Sequence, residues 1–328
     1  MVRSPWSVVR GQWFLAGLLL GLFFSAGCSS APTKKGQNTA RKMVGLSVLT
    51  MTNPFFKEIA DAFSAEMEKG GYDVSVVSGD NDQARQKAQV EDFLARRASA
   101  IVLCPCNSKT VGEAIRVANQ QGVPVFTADI ACLDPSVKVV THVATDNYAG
   151  GKQAALAMVE ALGEAGGKVM ILDYKDVESC LLRVKGFKEV IADHNREGKG
   201  AAIQIVAELS GGGDKEQGAK TTADAIVRFT DLAGIFAIND PSALGAHSAL
   251  VRAGKADQVK IIGFDGQPEG KQAIREGKIY ADPIQHPDEI GRKTAQAVLR
   301  YFHGETPEPE VLIPTQLYRK ADAEKEAR

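Results

Sequence analysis

Short apolar, β-branched runs alternate with longer amphipathic runs along most of the chain, and this alternation limits the possible folds more than any other feature. The spacing predicts strands near 43–49, 73–77, 100–104, 123–127, 138–142, 168–172, 202–208, 234–238, 259–263 and 279–284. Helices are expected near 54–69, 83–97, 108–120, 146–164, 180–193, 214–229, 241–253, 267–276 and 287–302. Gly70-Gly71, Gly122, Gly166-Gly167, Gly254 and Gly277 each follow a helical stretch, where a left-handed C-cap favours glycine. Repeated βα units imply parallel sheets covered on both faces. The pattern restarts near residue 146, so the 328 residues read as two similar α/β halves. The last helix and the 310–318 segment follow the second half, so they are expected to cross back and form a hinge with several crossovers.

In an open α/β sheet the carboxyl ends of the strands face the ligand. The first such end is Val44-Gly45-Leu46-Ser47-Val48-Leu49-Thr50-Met51-Thr52-Asn53-Pro54-Phe55-Phe56. Asn53 can cap a helix and Pro54 suits its first position. Ile59, Phe63 and Met67 continue from Phe55 as one apolar stripe. Phe55 is read equally well as a helix-packing residue or as a ring stacked on a ligand. Adjacent Phe residues are not expected to face the core together, so one of the two should be exposed. Later strand ends carry Asp129, Asn239 (followed by Asp240-Pro241), Asp265 and Gln285. Each alone is more commonly a cap or turn former. Together with Asn53 and the two rings they suggest a cleft for a small hydroxylated molecule: carboxylates hold hydroxyls by charge-assisted bonds and rings cover C–H faces.

Composition narrows the function classes. Apolar residues make up 44%, as expected for a globular α/β protein. Net charge is −1, or −3 without Arg3 and Arg10, the only charges in residues 1–27, which gives no argument for nucleic acid. Those two arginines precede an apolar run from Trp13 to Phe24, about a dozen residues and short of the ~20 that span a bilayer. Ser25-Ala26-Gly27-Cys28 then resembles a bacterial lipobox, with Cys28 the lipidated residue; Ser25 replaces the usual Leu, so a plain signal peptide remains open. Residues 1–28 are thus expected to be a lipoprotein signal and 29–41 a flexible tether. Cys104, Cys106, Cys132 and Cys180 remain, and a bridge from Cys132 to Cys104 or Cys106 is one hypothesis, with free buried thiols the other.

An enzyme finds little support. Gly213 to Gly218 followed by Lys220-Thr221 imitates a phosphate loop, but Ala219 displaces the lysine by one residue. No dinucleotide fingerprint opens the first helix, and there is no G-x-S-x-G. His142, His194, His247, His286 and His303 lack metal spacing, so neither metal nor cofactor is expected. Asp129 and Asp265 as a glycosidase pair stand without other support.

The chain resembles a periplasmic solute-binding protein of the ribose-binding type, the sugar receptors of ABC importers. The resemblance spans about 42–318 and rests on Thr52-Asn53-Pro54-Phe55-Phe56, Thr145-Asp146-Asn147 with Gly150-Gly151, Asn239-Asp240 with Ala243-Leu244-Gly245, Gly263-Phe264-Asp265-Gly266, and Gln285-His286-Pro287-Asp288 with Ile290-Gly291. It implies a type I periplasmic binding protein fold: two doubly wound parallel-sheet lobes, 42–145 plus 286–314 and 146–285 plus 315–321, joined by three crossovers near Thr145, Gln285 and Pro314. It also implies ligand contacts from Asn53, Phe55, Phe56 and Asp129 in the first lobe, from Asn239 and Asp265 in the second, and from Gln285 at a hinge. Expected partners are a small neutral sugar, deoxy-sugar or polyol and an ABC permease, with the protein a monomer outside the cytoplasm, on the periplasmic side of a bacterial membrane, held by lipid alone. A chemotaxis or sensor-kinase receptor, or a binder of a furanose-like signalling molecule, is the alternative role.

Four positions depart from the ribose type. Ile130 and Leu181 stand where arginines are usual, Gly213 where an aromatic is usual, and Leu49 where a polar residue is usual. Arg183 lies two residues after Leu181, but at the usual positions Asp129 and Asp265 lose cationic company. The guest is then expected to carry an apolar edge or fewer hydroxyls than ribose, with an amino-sugar less favoured.

Overall fold

The computed structural model describes residues 41–198 and 200–326. The expected signal segment, the Cys28 lipidation site and all but the last residue of the tether lie outside the described residues.

The first half runs β1 (Met43–Val48), α1 (Pro54–Lys69), β2 (Asp73–Ser78), α2 (Gln83–Ala95), β3 (Ala100–Leu103), α3 (Gly112–Gln120), β4 (Val125–Ala128) and β5 (His142–Thr145). The second runs α4 (Asn147–Leu162), β6 (Gly167–Asp173), α5 (Glu178–Glu197), β7 (Ile203–Ser210), α6 (Lys215–Arg228), β8 (Leu232–Ala237), α7 (Asp240–Arg252), β9 (Lys260–Ile262), α8 (Pro268–Arg275) and β10 (Ala281–Ile284). Then come α9 (Pro287–Phe302), β11 (Glu310–Ile313), β12 (Gln316–Arg319) and α10 (Lys320–Glu326). These elements build two lobes. One sheet has the order β11-β5-β4-β3-β1-β2 and the other β12-β10-β9-β8-β6-β7. Strands β1, β3, β4, β6 and β8 are almost wholly buried, as expected of parallel strands covered on both faces.

The chain passes between sheets after Thr145, after Ile284 and after Ile313. The first two passages enter a helix, so the next strand can again run parallel. The third has no helix: Pro314-Thr315 leads straight from β11 into β12, which therefore runs back antiparallel to β10. This is the exception to the all-parallel expectation, and its cause is the absence of a crossover element.

Two further differences concern strand limits. The regular part of the expected 138–142 strand lies at 142–145, although Val140 N–H already donates to the Val125 carbonyl at 2.8 Å. The β-branched run simply continues through Val143 to Thr145. The 310–318 segment forms two short edge strands whose outer residues are exposed, which leaves little apolar signal in the sequence.

The four described cysteines are free thiols, so the Cys132 bridge is not made. Cys104 and Cys106 pack in the apolar cluster that contains Leu49 and Phe56, whereas Cys132 packs against Val111 and Val125 in another.

Helices α4 and α5 approach closely because Gly151 and Gly186 carry no side chain. A Cβ on Gly151 would lie 2.1 Å from the Arg183 carbonyl oxygen. Gly151→Ala should therefore lower stability by about 1–3 kcal/mol, the usual cost of overpacking, read as a reduced urea midpoint at unchanged slope. Wild-type stability in that variant would show that the two helices separate freely.

Candidate functional site

The carboxyl edges of the two sheets face each other across a cavity of about 580 Å³. Asn53, Phe55, Phe56 and Asp129 line it from one lobe, Asn239 and Asp265 from the other, and Gln285 from the second crossover. Of the four departures, Leu49, Ile130 and Gly213 also line it; Leu181 does not.

Several of these side chains are fixed by the backbone they cap. Asn53 Oδ1 accepts from Phe55 N–H at 3.0 Å, which starts α1 and leaves the amide nitrogen for the cavity. Asn239 Oδ1 accepts from Ser242 N–H at 3.0 Å while Nδ2 donates to the Gly213 carbonyl at 2.9 Å, so this residue shapes the wall as much as it faces a guest. Phe55 and Phe56 meet edge to face with centroids 5.2 Å apart. Both are buried, at 3% and 5% exposure. Little of either ring reaches bulk solvent, and both line the cavity.

Asp129 and Asp265 adopt left-handed backbone angles, φ +64° and +108°. Non-glycine residues hold such angles only where the surroundings enforce them. Asp129 N–H donates to the Val143 carbonyl, and Asp265 N–H to the Pro283 carbonyl, so the ladders continue one residue past β4 and three past β9 to residues that line the cavity. Asp129 Oδ1 is buried without a hydrogen-bond partner.

Asp265 is the centre of a bonded chain. Gln285 Nε2 donates to its Oδ1 at 2.6 Å, and Thr145 Oγ1 donates to Gln285 Oε1 at 2.6 Å. Arg183 Nη1 approaches the same Oδ1 at 3.4 Å and donates to the Ile238 carbonyl at 2.7 Å, while Nε donates to Asn147 Oδ1 at 2.7 Å. The guanidinium lies 3.9 Å above the Phe264 ring.

Arg183 corrects the sequence reading. Leu181 is not replaced in kind, but the next arginine on the helix supplies a guanidinium to the cavity, so Asp265 keeps a cationic partner. The signal was present: Cys180, Arg183, Val184, Phe187 and Ile191 recur at helical spacing, placing Arg183 on the buried face. A second replacement involves Gly213. A Cβ there would lie 3.5 Å from the Tyr174 ring, so an aromatic from the neighbouring loop lines the cavity beside it. Tyr174, Val177 and Cys180 were absent from the expected site because no motif marks the loop after β6.

Burial dominates the electrostatics. It pushes the Asp129 carboxyl up to about 7, with Arg183 pulling back and Asp265 and Glu178 adding to the rise. Burial likewise raises Asp265 to about 6 against the pull of Arg183 and the bond from Gln285. Asp240, on the cavity wall, and Asp282, behind it, are both buried; Asp282 is pushed up to about 7 and Asp240 well above its ordinary range by burial and by Asp282 itself. Unfolded, these carboxyls titrate near ~4. Between ~4 and the folded values the folded state holds more protons, so stability falls as pH rises through that window. His142, driven down to about 4 by burial, acts oppositely, but only below its unfolded value of ~6.5. The melting temperature of ligand-free protein should therefore fall clearly between about pH 6.5 and pH 8. A rise across that interval would remove the buried-acid account.

Among the described residues no group of three or more His, Cys, Asp or Glu could hold a metal, and no helix is long and apolar enough to cross a membrane.

Comparison with known proteins adds an independent line. Residues 44–306 match the sequence profile described as a periplasmic binding protein domain. The ribose import binding protein RbsB of Salmonella typhimurium is 32% identical over 266 residues, 81% of this chain and 86% of that protein. The D-apiose import binding protein of Paraburkholderia graminis is 29% identical and covers 89% of this chain and 92% of its own length. Among solved structures, the Caulobacter myo-inositol binding protein with bound myo-inositol superposes with a TM-score of 0.79 at 26% identity, covering 86% of this chain and 95% of that one.

Proposed function

This chain belongs to the periplasmic binding protein domain family, and we propose that it is an extracytoplasmic receptor that binds a sugar or polyol and delivers it to an ABC importer by hinge closure. The observation that carries this reading is the convergence of Asn53, Asp129, Asp265 and Gln285, which come from two lobes and a crossover, on one cavity with the rings of Phe55 and Phe56. The relatives above are named as binding proteins, and the site is taken as a binding site rather than a catalytic one.

The finer reading is as follows. The lobes comprise 42–145 plus 286–314 and 146–285 plus 315–321, hinged near Thr145, Gln285 and Pro314. Phe55 and Phe56 cover an apolar face of the guest, and Asp129 and Asp265 accept its hydroxyls. Asn53, Asn239 and Gln285 orient it. Leu49 and Ile130 form a wall without hydrogen-bonding groups, so the guest carries an apolar edge there, as a deoxy-sugar or short polyol does. The protein acts as a monomer, exported and lipid-anchored at Cys28, with a permease as its partner.

A thermal-shift screen over sugars, deoxy-sugars, polyols and amino-sugars tests the class, because a ligand that binds only the folded state raises its melting temperature. At least one neutral member should do so, and a screen in which only charged compounds act would refute the reading. Ribose should bind more weakly than low-micromolar in calorimetry. Because Asp265 balances Arg183, Asp265→Asn is a cleaner substitution than Ala. It should weaken the best ligand by one to two decades, the cost of a charge-assisted bond at ~1.5–3 kcal/mol. Unchanged affinity would remove Asp265 from the contact set.

A further inference from the structure

Away from the crossovers, the lobes meet at one hydrogen-bonded patch. After β3 the chain runs through Cys104-Pro105-Cys106 to Asn107 and Ser108. From the other lobe, the loop after β6 brings Asp176 and Val177 to Glu178, the first residue of α5. Ser108 N–H donates to the Asp176 carbonyl at 2.9 Å, and Glu178 N–H donates to Ser108 Oγ at 2.9 Å. Asn107 Nδ2 donates to Asp176 Oδ1 at 3.1 Å. Among the described residues, these are the hydrogen bonds that join the lobes outside the crossovers.

What α5 lacks explains the middle bond. Its cap position is Val177, whose side chain makes no cap bond. Helices α1, α2, α4, α6 and α7 all begin with an Asn or Asp that caps its own helix. The first N–H groups of a helix have no partner within it, and here a serine of the opposite lobe accepts one of them. Ser108 is 1% exposed, and its hydroxyl accepts this one bond. The clasp is also held from its own side. Asn107 Oδ1 accepts from the Lys109 and Thr110 N–H groups, which aims the amide nitrogen outward. The Ser108 carbonyl accepts from Leu133 N–H at 2.8 Å.

We propose that Ser108 is an N-cap supplied in trans: it caps α5 of the opposite lobe and, with Asn107 and Asp176, forms a clasp that holds the lobes closed without touching ligand. Closure then orders the first turns of α5, which carry Cys180 and Arg183 into the cavity. The proposal rests on the reading of the chain as a hinged binding protein, but its test needs no ligand.

The experiment compares ligand-free wild type with Ser108→Ala, Ser108→Thr and Asp176→Ala by small-angle X-ray scattering and amide hydrogen exchange. Losing a helix cap should lower the closed-to-open ratio about three- to tenfold. Ser108→Ala should then show a larger radius of gyration and faster exchange at residues 178–181, with exchange in α9 and β1 unchanged. Ser108→Thr, which keeps an acceptor oxygen, should restore both. Asp176→Ala, an exposed change that removes only the Asn107 bond, should shift both measures less in the same direction; it carries the test if Ser108→Ala does not fold. Equal scattering and equal exchange at 178–181 in all four proteins would overturn the proposal. So would faster exchange throughout α5 and both sheets in Ser108→Ala alone. A failed sugar screen with the expected scattering shifts would leave the clasp intact and count against the ligand class instead.

Discussion

The buried guanidinium of Arg183 ties together the parts of the chain that must agree if a cleft is to exist. It binds the start of α4 at Asn147, the end of β8 at the Ile238 carbonyl and the end of β9 at Asp265, with its face against Phe264. Through Asp265 and Gln285 the same chain of bonds reaches Thr145 at the end of β5. Both members of the Arg183–Asp265 pair are about 4% exposed. Taking two charges out of water offsets much of their attraction, so such a pair adds little to stability over an apolar replacement. Its effect here is positional. Two crossovers and two strand ends have one mutually consistent arrangement, and in that arrangement Asp265 faces the cavity.

The topology explains why a cleft forms at all. Parallel sheets place all their carboxyl ends on one edge, and the three passages between sheets set two such edges face to face. Two passages feed helices and keep the next strand parallel; the third feeds β12 directly and reverses it. All three lie side by side, between β5 and β11 in one sheet and β10 and β12 in the other. Hinged binding proteins change shape by rotation about short neighbouring connections of this kind.

Much of this was legible in the sequence because apolar periodicity and cap residues are local signals. Asn53-Pro54 and Asn239-Asp240-Pro241 announced both a helix start and a strand end, and α1 and α9 fall at 54–69 and 287–302 as the spacing predicts. The misses share a cause: they depend on what the chain meets after folding. Helical spacing puts Arg183 on the buried face, but its partners Phe264 and Asp265 are distant in sequence and meet it only in the folded chain. The edge strands β11 and β12 bury too little to leave a pattern. Tyr174 stands beside Gly213 only because the loops after β6 and β7 are neighbours, so a ring missing at one position was supplied from another.

The clasp between Ser108 and α5 favours closure, since opening leaves Glu178 N–H without its acceptor. On the cavity wall, Asp129, Asp240 and Gln267 each keep one side-chain oxygen buried without a partner in the protein, and a buried unsatisfied acceptor costs about 1–3 kcal/mol. Most other polar groups in the cleft are already bonded to the protein, as Asn239, Gln285 and Asp265 Oδ1 are, and need no reordering when a guest arrives. The wall that faces the cavity is thus set by the protein's own hydrogen bonds.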